Sequence, residues 1–210
     1  MTAINLQKFS VAAREIVEAG KFLYAQGWSP ATSSNYSARI NDEALAITVS
    51  GRHKGRLSIE DVMAVDLQGR PLQSNARSSA ETLLHTVIYE LFPDVGAVLH
   101  THSVGATVLS RVLERGTSLS LEGYELQKAF CGVQTHESVL EIPVFDNTQD
   151  ITALSQRSVS MLKDNPGIPG YLIRGHGLYT WAPTMADCLR HIEAFEFLFQ
   201  CELETMRIKR

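Results

Sequence analysis

The chain has 210 residues, of which 44% are hydrophobic and 20% charged, and its formal net charge at pH 7 is −4. This composition is that of an ordinary globular protein, so it excludes a disordered chain, and the slight acidic excess argues against a nucleic-acid partner. The length fits one domain, which we take to span residues 1–210. No signal peptide is visible and no apolar run approaches the roughly 18 residues of a membrane span, so we expect a cytoplasmic protein.

Helices and strands are predicted along the whole chain, but not in regular βαβ order. Apolar spacing predicts a helix over residues 6–26, a loop over residues 28–37 and a short strand over residues 44–50. The later predicted elements are a helix over residues 79–91, a strand over 95–102 that leads into a helix from Val104, strands over 170–174 and 178–181, and a final helix after Thr184. We therefore predict an α/β domain with one mixed or antiparallel sheet covered by helices.

A metal site is predicted from three histidines. His100-Thr101-His102 ends an apolar strand, and side chains two apart on a strand project from the same face. His176 follows another apolar strand and lies between Gly175 and Gly177, which allow a sharp turn and a close approach to a ligand. Three histidines with an open position are typical of a catalytic zinc. Imidazole also suits iron, nickel and copper, so the spacing leaves the metal itself open.

Three loops carry the residue types that bind an anion. Residues 32–35 are short hydrogen-bonding side chains, and residues 50–55 combine glycines with two cations. Ser78 and Ser79 precede a helix, where free backbone N–H groups and the helix dipole favour phosphate. Each loop taken alone is more typical of an ordinary turn or cap than of an anion site. Together with a metal site, they predict a phosphorylated substrate.

Two carboxylates are candidates for proton transfer. A carbonyl bound to a metal acidifies its neighbouring C–H, so such a site needs one carboxylate base within reach. Glu81 and Glu125 both qualify on chemistry alone. Glu81 shares a helix face with His85. The alternative to a catalytic role is a structural one, in which the two residues form a solvated pair or Glu81 complements the helix dipole.

The motifs, taken in order, resemble those of the class II aldolase and adducin family. They are the Ser/Thr-Asn loop, the Ser-Gly loop, Ser-Ala-Glu, His-Thr-His-Ser and Arg-Gly-His-Gly. Longer stretches make the likeness most specific to the members that remove water from a methylthio-substituted ketose phosphate in methionine salvage. These stretches are residues 28–33, 123–130, 142–150 and 170–181.

The resemblance implies a homotetramer whose mostly antiparallel sheet lies between helical layers, with one zinc ion per subunit on His100, His102 and His176. It implies loss of water by way of an enediolate that the metal stabilises. The residues matched to the phosphate cradle are Asn35, Ser50, Gly51 and Ser79, to which we add Lys54, a cation of the second loop. Glu81 matches the base of the aldolases and Glu125 the acid/base of the dehydratases, and we favour Glu125.

Three positions depart from the family pattern. Ser34 stands where a glycine is usual, Ala80 replaces a serine of the aldolases' phosphate loop, and His53 stands where we expect an aspartate. The first two bear on phosphate contacts, and none of the three touches the metal ligands. Two alternatives stay open: a zinc-dependent retro-aldolase with Glu81 as its base, and a non-catalytic adducin-like interaction module, which predicts eroded metal ligands.

Overall fold

The structure is a computed structural model that describes residues 4–72 and 74–209. Its helices are Leu6–Ala25 (α1), Thr82–Leu91 (α2), Val104–Val112 (α3), Ile151–Asp164 (α4) and Met185–Ile208 (α5). Its strands are Asn35–Asn41 (β1), Ala44–Thr48 (β2), Val62–Asp66 (β3), Pro71–Leu72 (β4), Ala97–Thr101 (β5), Ser118–Leu121 (β6), Leu140–Phe145 (β7), Gly170–Ile173 (β8) and Gly177–Ala182 (β9). Short 3-10 helices lie at Lys54–Arg56, Ile59–Asp61 and Glu125–Ala129.

Within the described residues, all the strands join one sheet in the order β4-β3-β2-β1-β5-β9-β8-β7-β6. Every neighbouring pair is antiparallel except β7 and β8. Because strand side chains alternate, the sheet buries apolar residues on both faces. One buried cluster packs the sheet against α1, α3 and α5, and the other packs it against α2 and α4. The predicted mostly antiparallel sheet between helical layers is confirmed.

The sequence-based prediction missed several elements, including the first strand of the site. The predicted loop over residues 28–37 was wrong at its end, because β1 begins at Asn35. Here Tyr36 and Ala38 pack into one apolar cluster, while Ser37 turns its buried hydroxyl to side chains of α2. A strand that buries polar residues loses the contrast that marks amphipathic strands. The strands β3, β4, β6 and β7 and the helix α4 were also missed.

The last helix supports the strands that carry the predicted metal ligands. The Thr184 hydroxyl oxygen accepts the backbone N–H of Asp187 at 3.1 Å and donates to its carboxylate at 2.7 Å, which confirms the predicted capped start of α5. The face with Cys188, Ile192 and Phe195 is fully buried. No helix within the described ranges combines the length and apolar character that crossing a membrane requires.

Candidate metal centre and substrate cavity

The three predicted metal ligands meet at one end of β5 and β9. His100 lies in β5, His102 follows that strand, and His176 lies in the turn between β8 and β9. The Nε2 atom of His100 is 2.8 Å from Nε2 of His102 and 3.3 Å from Nε2 of His176. One ligand atom from each imidazole lies within 4.8 Å of the other two. The structure therefore brings together three side chains whose nitrogens can share one ion.

The hydrogen bonding of His100 suits a metal ligand. Its Nδ1 lies 2.9 Å from the carbonyl oxygen of Leu178, which can only accept, so Nδ1 carries the proton and Nε2 keeps a free lone pair. Burial, and then the neighbouring imidazoles, hold the pKa of His100 well below its usual value. Burial likewise lowers the pKa of His102 to about 4. Neutral imidazoles whose nitrogens face one another are stabilised by a shared cation, so this donor set fits a divalent metal such as zinc.

Glycines let the two strands of this site approach closely. Gly175 has a φ of 64°, a left-handed conformation that favours glycine, and it makes the turn that carries His176. A Cβ atom at Gly177 would lie 2.0 Å from the carbonyl oxygen of Thr101. We expected both glycines to serve the approach of a ligand. The structure shows that Gly177 instead serves the contact between β9 and β5.

Glu81 lies directly beside the histidine cluster. Its Oε2 atom accepts hydrogen bonds from Nδ2 of Asn35 at 2.8 Å and from the hydroxyl of Tyr179 at 2.9 Å. The same oxygen is 3.4 Å from Nε2 of His100, and Oε1 is 3.2 Å from Nε2 of His176. Burial, followed by the charge of Glu81, raises the pKa of Tyr179 far above its usual value, so the phenol stays protonated and donates. The carboxylate is thereby fixed in place by its own chain.

The sheet register explains this convergence. Asn35 of β1 pairs with His100 of β5, and His100 pairs with Tyr179 of β9. Residues paired across antiparallel strands project from the same face, so these three side chains form one row. Glu81 lies just before α2, which packs on that same face of the sheet, and its carboxylate contacts Asn35 of the row.

A cavity of about 180 Å³ opens over this row. It is lined by all the predicted phosphate residues, together with Glu81, His102 and His176. The predicted phosphate residues are Asn35, Ser50, Gly51, Lys54 and Ser79. His100 is fully buried beneath the cavity. Thus the loops that the sequence marked as anion-binding and the histidine cluster share one space.

Backbone contacts hold two of the predicted anion-binding loops, residues 50–55 and residues 78–79, side by side. The N–H of Ser50 donates to the carbonyl of Arg77 at 3.0 Å, and Val49 forms a β-bridge with Ser78. Ser34, which stands where a glycine is usual, has a φ of 71°, and this left-handed conformation explains the preference for glycine. The hydroxyl of Ser34 donates to Oγ of Ser29 at 3.0 Å, which helps to hold the strained serine.

Lys54 brings a positive charge to the wall of the cavity. Its side chain is almost wholly buried, and Nζ donates to the carbonyl oxygens of Arg52 at 2.7 Å and Thr32 at 3.5 Å. Burial lowers its pKa to about 8, and the charge of Asp61 offsets only part of that effect. A buried ammonium group is costly without a counter-charge, so an anion in the cavity would stabilise it.

Glu125, in contrast, is not among the described residues that line the cavity. It begins the 3-10 helix Glu125–Ala129, and its side chain is 71% exposed. The carboxylate pairs with Lys128 and lies 3.7 Å from Nδ1 of His136. The hydrogen bond from Lys128 lowers the pKa of Glu125. Within one chain, the structure separates this candidate from the predicted metal ligands.

Sequence reasoning missed Tyr179 and misjudged His85. Tyr179 was noted only as part of a strand, because its role depends on pairing with His100, which no local pattern reveals. His85 was considered as a partner of Glu81. In the structure His85 is fully buried and bonds to Asn35 instead.

Comparisons with known proteins agree with this geometry. The profile of the Class II Aldolase and Adducin N-terminal domain matches residues 14–203. A methylthioribulose-1-phosphate dehydratase of Marinobacter nauticus is 69% identical over 206 residues, covering 98% of this chain and 99% of that protein. One of Hahella chejuensis is 68% identical over 205 residues, with the same 98% and 99% coverage. A solved L-fuculose 1-phosphate aldolase has a TM-score of 0.79 at 21% identity, covering 96% of this chain and 89% of its own, and shows the fold.

Proposed function

The chain belongs to the class II aldolase and adducin family, and on that premise we propose that it dehydrates 5-methylthioribulose 1-phosphate to 2,3-diketo-5-methylthiopentyl 1-phosphate in methionine salvage. The relatives named as that dehydratase, at 69% and 68% identity over nearly the whole chain, support this substrate. The observation that carries the proposal is the shared cavity, which has imidazoles and a carboxylate at its floor and hydroxyls with a lysine at its wall.

In this proposal His100, His102 and His176 hold one zinc ion per subunit. When bound, zinc polarises the ketone of the substrate and stabilises the negative charge that develops on its oxygen. The chain's contribution is to lower the pKa of His100 and of His102 by burial and to orient His100 through the carbonyl of Leu178.

The phosphate lies against Ser50, Gly51 and Ser79, with Asn35 beside it. Lys54 supplies the counter-charge. An ammonium group has three N–H donors, and two of those on Lys54 already bind the carbonyls of Arg52 and Thr32, so one is left for a phosphate oxygen. Binding an anion there raises the pKa of Lys54 from about 8 toward its ordinary value.

The reaction needs a base and an acid. A carboxylate removes the proton from C3, the C4 hydroxyl leaves with a proton as water, and the resulting enol becomes the second ketone as C4 gains a proton. We propose that Glu125 performs this proton transfer. Since it does not line the cavity of its own chain, it serves a cavity formed with another subunit. Glu81, which is already beside the ligands, is the alternative.

We further propose that the enzyme works in the cytoplasm as a homotetramer. The surface around Glu125 supports contact between subunits, because Leu126 and Phe197 are 39% and 53% exposed beside it. Exposed apolar groups that border one another are typical of contact surfaces.

The test is to incubate zinc-loaded protein with methylthioribulose 1-phosphate and to follow the product by mass spectrometry. We expect a product lighter by one water, and no product after treatment with a chelator. Cleavage into two smaller fragments would instead identify a retro-aldolase. An unchanged substrate would show that the substrate assignment is wrong.

A further inference from the structure

Behind the cavity, a chain of buried hydrogen bonds runs from Asn35 toward α2. His85 bonds to Oδ1 of Asn35 through Nε2, and its Nδ1 lies 2.7 Å from the hydroxyl of Ser37. The hydroxyl of Ser37 lies 3.0 Å from that of Tyr89. All of these side chains are nearly or fully buried, and His85, Ser37 and Tyr89 are not among the described residues that line the cavity. They therefore touch the substrate only through Asn35.

The donors and acceptors of this chain can be assigned from the end that meets Glu81. Asn35 donates from Nδ2 to the Glu81 carboxylate at 2.8 Å, so its Oδ1 faces His85 and must accept. Nε2 of His85 therefore carries the proton. Burial lowers the pKa of His85 to about 3, so the imidazole is neutral and its Nδ1 must accept from Ser37.

The hydroxyl of Ser37, having given its proton to His85, then accepts from Tyr89. Tyr89, Ser37 and His85 each donate one hydrogen bond to the next group. The three bonds therefore run in one direction, from Tyr89 to Asn35. A chain ordered in this way disfavours the opposite orientation of the Asn35 amide. With the amide reversed, its oxygen would face the carboxylate oxygen of Glu81 and repel it.

We propose that His85 is a positioning residue, whose Nε2–H fixes the Asn35 amide so that its N–H holds the Glu81 carboxylate against the histidine cluster. Its consequence for turnover rests on the proposed function and on Glu81 taking part in it, either as the alternative base or as a charge beside the proposed metal site. The hydrogen-bond direction does not, because it belongs to the chain's own buried groups. His85 is thus distinguished from a histidine that merely fills the core, for which the position of the proton would be immaterial.

Two amide substitutions separate positioning from packing. In His85→Gln the terminal NH₂ lies near the former Nε2 and can still donate to Asn35. In His85→Asn the shorter amide lies near the former Nδ1 and reaches only toward Ser37. Both remove the imidazole and both are polar, so they are matched controls. We expect kcat to fall about 10- to 100-fold in His85→Asn with KM little changed, and to recover most of the wild-type value in His85→Gln.

The second measurement needs neither substrate nor turnover. In protein labelled with ¹⁵N-histidine, NMR distinguishes ring nitrogens that carry a proton from those that do not. We expect one neutral imidazole, absent from the His85→Gln spectrum, with its proton on Nε2. Replacing Ser37 by Ala removes the donor to Nδ1 while leaving the imidazole in place, and we expect the proton to stay on Nε2, because Oδ1 of Asn35 still accepts it.

A wild-type spectrum with the proton on Nδ1 would overturn the proposal, and so would equal kcat values for His85→Asn and His85→Gln. If the wild-type protein dehydrates no substrate, the proposed function fails, while the spectrum still decides the direction of the hydrogen bonds.

Discussion

Glu81 and Glu125 carry the same functional group in opposite surroundings. Glu81 is 14% exposed, accepts from Asn35 and Tyr179, and lies within 3.4 Å of a ligand nitrogen. Glu125 is 71% exposed, pairs with Lys128 and lies 3.7 Å from Nδ1 of His136. The interior region, formed by the three histidines, Glu81 and the loops that line the cavity, is brought together within one chain by the sheet register. The surface region, formed by Glu125, Leu126 and Phe197, reaches a cavity only in the proposed assembly with a second subunit.

The largest effect is expected from replacing one of the proposed metal ligands of the interior region. His102→Ala removes one of three imidazoles, so zinc binding is weakened and the Lewis acid is lost. We expect activity to fall by about three orders of magnitude or more. Metal content, measured by atomic emission, should fall in parallel. His136→Ala is the control for metal content, since His136 lies away from the cluster, and equal zinc in both variants would contradict the assigned ligands.

Glu125→Gln tests the surface region directly. The amide keeps the shape of the side chain but cannot accept a proton, so we expect kcat to fall about 10²- to 10⁴-fold while zinc stays bound. A rate near that of the wild type would move the acid/base role to Glu81.

Mixing variants shows whether Glu125 acts between subunits. Co-expressed Glu125→Gln and His102→Ala chains form some cavities that combine intact ligands from one chain with an intact Glu125 from another. We expect activity well above that of either parent. A mixture no more active than its parents would show that Glu125 does not complete a neighbouring cavity.

Local patterns in the sequence predicted most residues of the interior region, and the structure explains why the others were not predicted. Alternation along a strand was enough to place His100 and His102 on one side, and residue types in loops indicated Ser50 and Ser79. Tyr179 escaped because its role follows from strand pairing, and strand pairing joins residues far apart in the chain. The separation of the two carboxylates likewise depends on tertiary position.

A smaller effect is expected from Tyr179→Phe, which separates the two groups that hold Glu81 in the interior region. The phenylalanine keeps the ring that stacks on His100 with the ring centroids 4.0 Å apart. It removes the hydroxyl that donates to Oε2 of Glu81 at 2.9 Å. Asn35 still holds the carboxylate, so we expect kcat to fall about 10-fold rather than to vanish. The variant should bind zinc normally. Unchanged kcat would mean that Asn35 alone suffices to place Glu81.

The last expected effect is on stability rather than on catalysis, and it arises from the buried His191. This side chain is 2% exposed, and its Nε2 accepts the backbone N–H of Cys131 at 2.8 Å. Burial lowers its pKa from 6.5 to about 4. Between these values the unfolded chain binds the extra proton, so the stability that the neutral imidazole provides above pH 6.5 is lost as the pH falls toward 4.

The shift corresponds to a loss of about 3 kcal/mol from this one group. In His191→Gln the amide oxygen can still accept from Cys131, but nothing titrates. We therefore expect urea unfolding, followed at fixed protein concentration, to show a weaker dependence on pH in this range. The exposed His136→Gln is the matched control and should keep the wild-type slope. If both variants keep that slope, acid sensitivity arises elsewhere, and His100 and His102 become the groups to test, because burial lowers the pKa of both and opposes their protonation.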